Sequence, residues 1–486
     1  MTTNTLIDLQ EADSLNQMDT LRHWVSVDAG YQRSMRLDRD ASNAGVLAGY
    51  VAQTTCLNAL QTMATHINSS RQRSFTWTGP YGCGKSSLAL VLSSLLGKGA
   101  RRDEAARILS LADEEAVSRA FASREGWKQI LMVGRQASLT DDLAERLKVK
   151  NDGRAVVQAL EKAAEAESEG FILMIDELGK YLEAENASEN AYLLQEIAEA
   201  ANRSSAKFVF LGILHQAVDV YASKLPRTVR DEWAKVQGRF IDIPLLSSSE
   251  ETIELLGHAF AHPHGTPPMS PAFLASVDLV AKAFAKRRPE MVGRIQELLI
   301  ACWPLNPVTT LLLGPISRRK FSQNERSIYS FLSASEPKGF RLFVEGSSTG
   351  LTYDPADYWD YLKENFENAI LTTNESHRWL TAVESVMRAE RTCGEGAVRL
   401  AKAVAIIDLF RTGSGIEASR EVLAAAVNMT VSEVEPLLVE LCERKVIIER
   451  RYAGAFAIFA GSDFDLEAAL KAALEDMGGI DTSTIR

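Results

Sequence analysis

Apolar positions in this chain alternate between short continuous runs and longer stretches of helical spacing, and that alternation predicts most of its elements. Residues 50–67 place Val51, Leu57, Leu60, Met63 and Ile67 at helical intervals. Asn68-Ser69-Ser70 then signals a loop. A short β-rich run over residues 74–78 leads into a glycine-rich turn and an apolar helix from Leu88 to Leu96. Residues 101–126 read as helical and charged, and residues 139–148 and 155–166 as helices. Further short apolar runs fall at residues 129–134, 170–175, 207–214 and 239–245. The run at 170–175 is apolar throughout, which predicts a strand buried on both faces. Strands alternating with helices over residues 71–246 predict a doubly wound parallel sheet, an α/β fold.

Beyond Ser247-Ser248-Ser249 the pattern turns helical, with helices predicted over residues 250–260, 272–286, 291–302 and 307–314. No strand is expected there before about residue 340, and residues 336–395 are mixed in pattern and carry no assignment. Residues 21–25 fit a short strand or a helical turn. Near the end, residues 398–410 and 419–427 read as helices, and Thr430-Val431-Ser432-Glu433 is a capping box opening a third. Two strands follow around Ala453-Gly454. Three short helices and a hairpin describe a winged helix.

The turn after residue 78 carries the chemistry. Gly79, Gly84, Lys85 and Ser86 fill G-x-x-x-x-G-K-[ST] without a gap, the P-loop pattern. The glycines would let the loop Gly79-Pro80-Tyr81-Gly82-Cys83-Gly84 bend so that its N–H groups point into one concavity. The helix opening at Lys85, Ser86 and Ser87 would add its positive dipole end. Lys85 would reach the β- and γ-phosphates, and Ser86 would ligate Mg²⁺. The competing interpretation is a tight strand–helix turn that binds no nucleotide. Asp176 and Glu177 close the 170–175 run at its C-terminal end, where open α/β sheets place ligands. Asp176 would hold Mg²⁺ through its water shell, and Glu177 would orient and polarise the attacking water. A solvated strand end, or a nucleotide switch that scarcely hydrolyses, fits the same carboxylates.

Composition narrows the class. At 486 residues the chain is too long for one core, so about two to four domains are expected. The expected divisions are an N-terminal segment at 1–48, a P-loop core at 49–248, a helical lid at 249–335, a connecting region at 336–395 and a winged helix with tail at 396–486. With 46% hydrophobic and 24% charged residues the composition is that of a soluble globular protein. No run of about 18 apolar residues predicts a membrane span. The polar, acidic N-terminus lacks a signal-peptide core. Cys56, Cys83, Cys302, Cys393 and Cys442 are odd in number and scattered, which suggests reduced thiols in a cytoplasm. Oxidation at Cys83 could block the loop, although an inert small residue serves there as well. The net charge of -11 argues against broad wrapping of nucleic acid but leaves room for a local basic surface.

His258, His262 and His264 could share a metal, but Pro263 would break their helix and no Cys or carboxylate completes a set. Lys282, Lys286, Arg287 and Arg288 form a basic run that fits a solvated helix end or a phosphate contact. The third C-terminal helix is acidic through Glu433, Glu435, Glu440 and Glu443, a poor face for DNA phosphates. Arg450 and Arg451 on the wing suit backbone contact better.

Residues 79–86, Asp176-Glu177, and Arg239-Phe240 leading into Pro244 resemble the AAA+ ATPases. The helical lid and terminal winged helix resemble the origin-recognition/initiator group and the STAND signalling ATPases. Thr78-Gly79-Pro80-Tyr81-Gly82, Asp176-Glu177-Leu178-Gly179-Lys180 and Gln323-Asn324-Glu325-Arg326-Ser327 also resemble larger ATPases of bacterial anti-phage defence clusters. The resemblance implies ATP and Mg²⁺ as ligands, assembly into a homo-oligomer, and control of partner proteins. It places His215 or Gln216 where the polar sensor-1 residue stands, although Asn, Thr or Ser is usual there. It implies Arg239 as the arginine that reaches a neighbouring subunit's γ-phosphate, with Arg227 and Arg230 as rivals. It implies Arg294 as the lid's sensor-2 arginine, with Arg318 and Arg319 as rivals. The function expected is an ATPase whose nucleotide state drives assembly. The alternative is an ATP-dependent DNA-binding initiator or loader acting through the winged helix.

Overall fold

The computed structural model describes residues 20–27, 35–43, 45–70, 72–80, 82–215, 237–317, 319, 328–333 and 335–461. Contacts divide the chain into two compact units. One is Ser26–Ala261 with Asn324–Ala334, and the other is Met1–Val25, His262–Gln323 and Ser335–Arg486.

The first unit holds strands β1 (Ser26–Val27), β2 (Ser74–Thr78), β3 (Lys128–Val133), β4 (Phe171–Asp176), β5 (Phe208–Leu214), β6 (Ile241–Pro244) and β7 (Phe260–Ala261). Its main helices are α1 (Thr54–Ser69), α2 (Lys85–Leu95), α3 (Ala100–Ile108), α4 (Leu139–Leu147), α5 (Gly153–Glu165), α6 (Ala187–Arg203) and α7 (Ser249–Ala259). Five strands form one parallel sheet in the order β3-β4-β5-β2-β6. Alternate residues of each central strand feed opposite cores, as the pleat requires. Ile172 and Met174 of β4 join Val209, Leu211 and Ile213 of β5 in a core with α1 and α2. Phe171, Leu173 and Ile175 join Phe208, Phe210 and Leu214 in a second core with α4, α5 and α6. The sheet is therefore doubly wound, and β4 is buried at all six positions. Each such apolar side chain contributes about 1.5–3 kcal/mol of burial.

Local signals start the helices. Asp152 caps α5 by accepting from the Ala155 amide, and Ser248 with Glu251 forms a capping box on α7. The Glu251 carboxylate also accepts from the Thr55 amide and hydroxyl at 2.7 Å each, which ties the start of α1 to α7. The expectation of no strand between residue 249 and about 340 fails at β7, which pairs antiparallel with β1. A two-residue strand exists only through its distant partner, so no local pattern announces it.

The second unit is helical. Its main helices are α8 (Pro271–Phe284), α9 (Val292–Ala301), α10 (Pro307–Ser317), α11 (Pro355–Leu371), α12 (Ser376–Thr392), α13 (Glu395–Phe410), α14 (Arg420–Ala426) and α15 (Val431–Glu443). Residues 21–24 form a helical turn in this unit. The unassigned region 336–395 proves helical: Phe340–Gly346, α11 and α12. Asp354 and Asp357 cap α11 with Pro355 at its first position, and Trp359 stacks on Trp379 of α12 at 4.7 Å. Strands β8 (Ile447–Arg450) and β9 (Ala455–Ile458) form an antiparallel hairpin after α13, α14 and α15. The capping box at Thr430 and Glu433 opens α15. Among the described residues, no single helix is long and apolar enough to cross a membrane.

Candidate functional site

The parallel sheet brings the C-terminal ends of β2, β4 and β5 to one edge. The chain leaves β2 towards the far edge at β3, whereas β5 connects to β6 on the other side of β2, so the β5–β2 boundary is the point of reversal. Open α/β sheets bind ligands at such a point.

Gly79 leaves β2 under tight constraint. A Cβ there would lie 2.4 Å from the Leu245 carbonyl oxygen, so only glycine fits beside the chain leaving β6. Gly84 adopts φ +81° immediately before α2. Pro80 is half-buried, Gly82 is exposed and Cys83 is buried; Tyr81 lies outside the described residues. Lys85 is only 4% exposed. Its ammonium donates to the Gly79 and Pro80 carbonyls at 2.6 Å each and lies 3.5 Å from Cys83 Sγ. The loop is thus curled around its own lysine. Ser86 and Ser87 sit half-buried in the first turn of α2.

Asp176 ends β4 at 2% exposure. It accepts a hydrogen bond from the Glu177 amide at 2.8 Å, and the Ser86 side chain lies near enough to draw its carboxyl down. Burial pushes its carboxyl up, against the pull of the Ser86 side chain and the Glu177 amide. The Ser86–Asp176 contact joins two segments separated by about ninety residues of sequence and, in the sheet, by β5. Both are oxygen ligands of the kind Mg²⁺ prefers.

Glu177 has φ +50°, a left-handed backbone unusual outside glycine. The Gly134 amide donates to the Asp176 carbonyl at 2.7 Å, and a Cβ on Gly134 would lie 2.3 Å from the Glu177 carbonyl oxygen. On the other side the Leu178 amide donates to the Ile213 carbonyl at 2.9 Å, with the Leu178 side chain lying over Gly212. The Glu177 carboxylate pairs with Lys180 through one oxygen and stands 3.8 Å from His215 Nε2 through the other. Its carboxyl is pulled down to about 2, first by His215, against partial burial, and then by Lys180.

The structure therefore places Gly79, Pro80, Gly82, Cys83, Gly84, Lys85, Ser86, Ser87, Asp176, Glu177 and His215 along one sheet edge. It does not bring Arg239 to them. Arg239 precedes β6, at the opposite edge, and its guanidinium pairs with Glu199 at 3.0 Å. Arg294 belongs to the helical unit, on α9, 3.7 Å from Glu297. Its rival Arg319 pairs with Glu375 at 2.7 Å. Gln216, Arg227, Arg230, Arg318 and the segment 323–327 lie outside the described residues.

Sequence reading gave no role to Lys180 or Gly134. Lys180 was findable as a cation three residues after Glu177 on a helical turn. Gly134 was findable as the glycine that ends an apolar run, although its steric partner comes from another strand.

No family model matches the chain, and no curated protein matches it. Among solved structures it is similar to the Orc1 protein of Aeropyrum pernix in complex with DNA. The identity is 15% over 90% of this chain and 96% of that one, at a TM-score of 0.30. It is similar as well to the Orc2 protein of that organism in its ADPNP–ADP complexes, at 11% identity, 90% and 99% coverage and TM-score 0.32. The ADP form of Orc2 gives 11% identity, the same coverage of 90% and 99%, and a TM-score of 0.31. At these scores the likeness carries nothing about activity. The α/β assignment rests on the parallel five-stranded sheet with helices on both faces.

Proposed function

We propose that this chain is a Mg²⁺-dependent ATPase of AAA+/STAND type whose nucleotide state controls its own assembly and its partner proteins in bacterial anti-phage defence. The observation that supports the ATPase reading most is the approach of the Asp176 carboxylate to Ser86 of the glycine loop, next to the buried lysine around which that loop is curled. The defence setting rests on the wording of residues 78–82, 176–180 and 323–327 alone.

In this reading the N–H groups of the loop and the Lys85 ammonium take the β- and γ-phosphates, Lys85 exchanging its two carbonyl partners for phosphate oxygens. Ser86 and Asp176 would hold Mg²⁺, which when bound neutralises charge on the phosphates. Glu177 orients a water towards the γ-phosphorus and accepts its proton as the bond to the β,γ-bridging oxygen breaks, leaving ADP and inorganic phosphate. His215, whose Nε2 stands 3.8 Å from the Glu177 carboxylate, would register the γ-phosphate. Arg239, exposed on the opposite edge, would act on the nucleotide of a neighbouring copy. Arg294 would serve the lid.

One observation favours a second reading, DNA binding through a winged helix formed by α13 to α15 and the β8–β9 hairpin. Tyr452 at the hairpin tip is 87% exposed, beside the exposed Arg451. Stacking and phosphate contact would suit that pair. Against it, Arg450 pairs with Asp408, and Arg420 is taken up by Glu435 and Glu449.

Mass determination of the Glu177→Gln variant with ATP and Mg²⁺ tests the first reading, with a retained nucleotide and a larger assembly expected. A variant that holds ATP yet stays monomeric at micromolar concentration removes the assembly proposal. The same preparation mixed with labelled duplex DNA at low salt separates the readings, since retention falling with salt would favour DNA.

A further inference from the structure

Lys180 lies on the short helical turn Gly179–Leu182, three residues after Glu177. The backbone of that turn is fixed independently of the Lys180 side chain. Leu178 is seated over Gly212, and the Tyr181 hydroxyl donates to Asp142 at 2.5 Å. The wholly buried Asn190 donates to the Tyr181 carbonyl at 2.8 Å and accepts from the Leu139 amide at 2.8 Å. The Glu177 main chain is wedged between Gly134 and Ile213 as well. What remains movable is the Glu177 carboxylate and the Lys180 side chain, 27% and 44% exposed.

The ion pair between them is local, so it folds the carboxylate back over its own turn. Asp176, one residue earlier, instead reaches across to Ser86 at the phosphate cradle. Both Glu177 oxygens already face a nitrogen group, Lys180 on one and His215 on the other. A water that Glu177 is to polarise must compete for those oxygens. An ammonium resting on the carboxylate also draws away the negative charge on which the water's proton would bear.

We propose that Lys180 is a positioning residue that holds Glu177 in a waiting arrangement, so that ATP is hydrolysed below the rate the same site reaches when the carboxylate is released. This inference rests on the ATPase reading above. The half-exposed ammonium is free to swing out without unseating the turn, so release needs no unfolding of the core.

The test is steady-state phosphate release from the full chain with saturating ATP and Mg²⁺, beside equilibrium nucleotide titration. Lys180→Met and Lys180→Gln are expected to raise kcat by about threefold to fivefold, the ratio a partly exposed ion pair can impose. KM for ATP is expected to stay within about twofold, because no phosphate contact is removed. Lys180→Arg, which returns a cation to the carboxylate, restores the slow rate. In a Glu177→Gln background Lys180→Met changes nothing. An unchanged or lowered kcat in both neutral variants overturns the inference, as does a gain that persists without Glu177. Thermal midpoints of the variants show that each is folded. If the wild type binds no nucleotide in the titration, the ATPase reading itself has failed, and this inference fails with it by a distinct observation.

Discussion

Two pairs of acidic residues, one in each unit and each with one buried and one partly exposed member, show how alike carboxylates can serve different ends. In the helical unit Asp354 and Asp357 close on themselves. Asp354 accepts from the Ala356 and Asp357 amides at 2.8 and 3.0 Å, and Asp357 accepts from the Asp354 amide at 3.1 Å. Arg399 of α13 pairs with Asp354 and stands 3.7 Å from Asp357. Every bond in that set starts a helix or ties two helices together. In the sheet unit Asp176 and Glu177 leave their business unfinished. Asp176 meets a serine from the glycine loop, and Glu177 sits on a left-handed backbone that no helix or strand requires. The difference is one of direction. The structural pair points into its own cap, whereas Asp176 of the candidate catalytic pair faces a loop whose lysine is wrapped in main-chain carbonyls.

The sharpest way to break this contrast is to remove the loop lysine on the candidate catalytic side and the arginine that pairs with Asp354 on the structural side. Lys85→Met is expected to weaken ATP binding by about 100-fold or more while leaving the thermal midpoint nearly unchanged. Arg399→Met is expected to do the reverse. It would leave nucleotide affinity intact and cost about 2 kcal/mol of stability, a value discounted for a guanidinium that keeps 39% of its exposure. Nucleotide titration and thermal unfolding of both variants check this. If Arg399→Met disturbs nucleotide affinity as much as Lys85→Met does, the contrast fails.

A smaller effect is expected from pH. Burial, and then the charge of Asp354, pushes the Asp357 carboxyl above the usual carboxylate range, against the pull of Arg399. The folded form therefore holds that proton to higher pH than the unfolded chain does. Its contribution is fully present below the ordinary carboxylate value and is lost as pH rises through the raised one. The helical unit is expected to lose about 1 kcal/mol over that interval, and Asp357→Asn to flatten the slope. Thermal unfolding followed from mildly acidic to neutral pH measures it. A slope unchanged by Asp357→Asn would show that other groups set it.

How far the sequence foretold these regions also differs. The glycine loop, its lysine and the Asp-Glu pair were legible because strand, turn and helix each signal within a few residues. Region 336–395 was not, although it holds α11 and α12. Tyr358, Trp359 and Tyr361 favour strands by propensity, and only the cap at Asp354 and Asp357 announces a helix there. Helical packing against α12, including Trp359 on Trp379, overrides that propensity. Lys180, Gly134 and the β1–β7 pair escaped for another reason. Their meaning depends on atoms brought from elsewhere in the sheet unit or, for Lys180, on the strained backbone of its partner.

The central claim is that the loop at residues 79–86 and the Asp176 carboxylate together hold a magnesium nucleotide. Equilibrium titration of the wild-type chain with ATP, in Mg²⁺ and again in a chelator, tests it most directly. Saturation is expected at one nucleotide per chain, tightened by Mg²⁺ and less so in Ser86→Ala. No saturable binding, or binding indifferent to both the metal and Ser86, would contradict it.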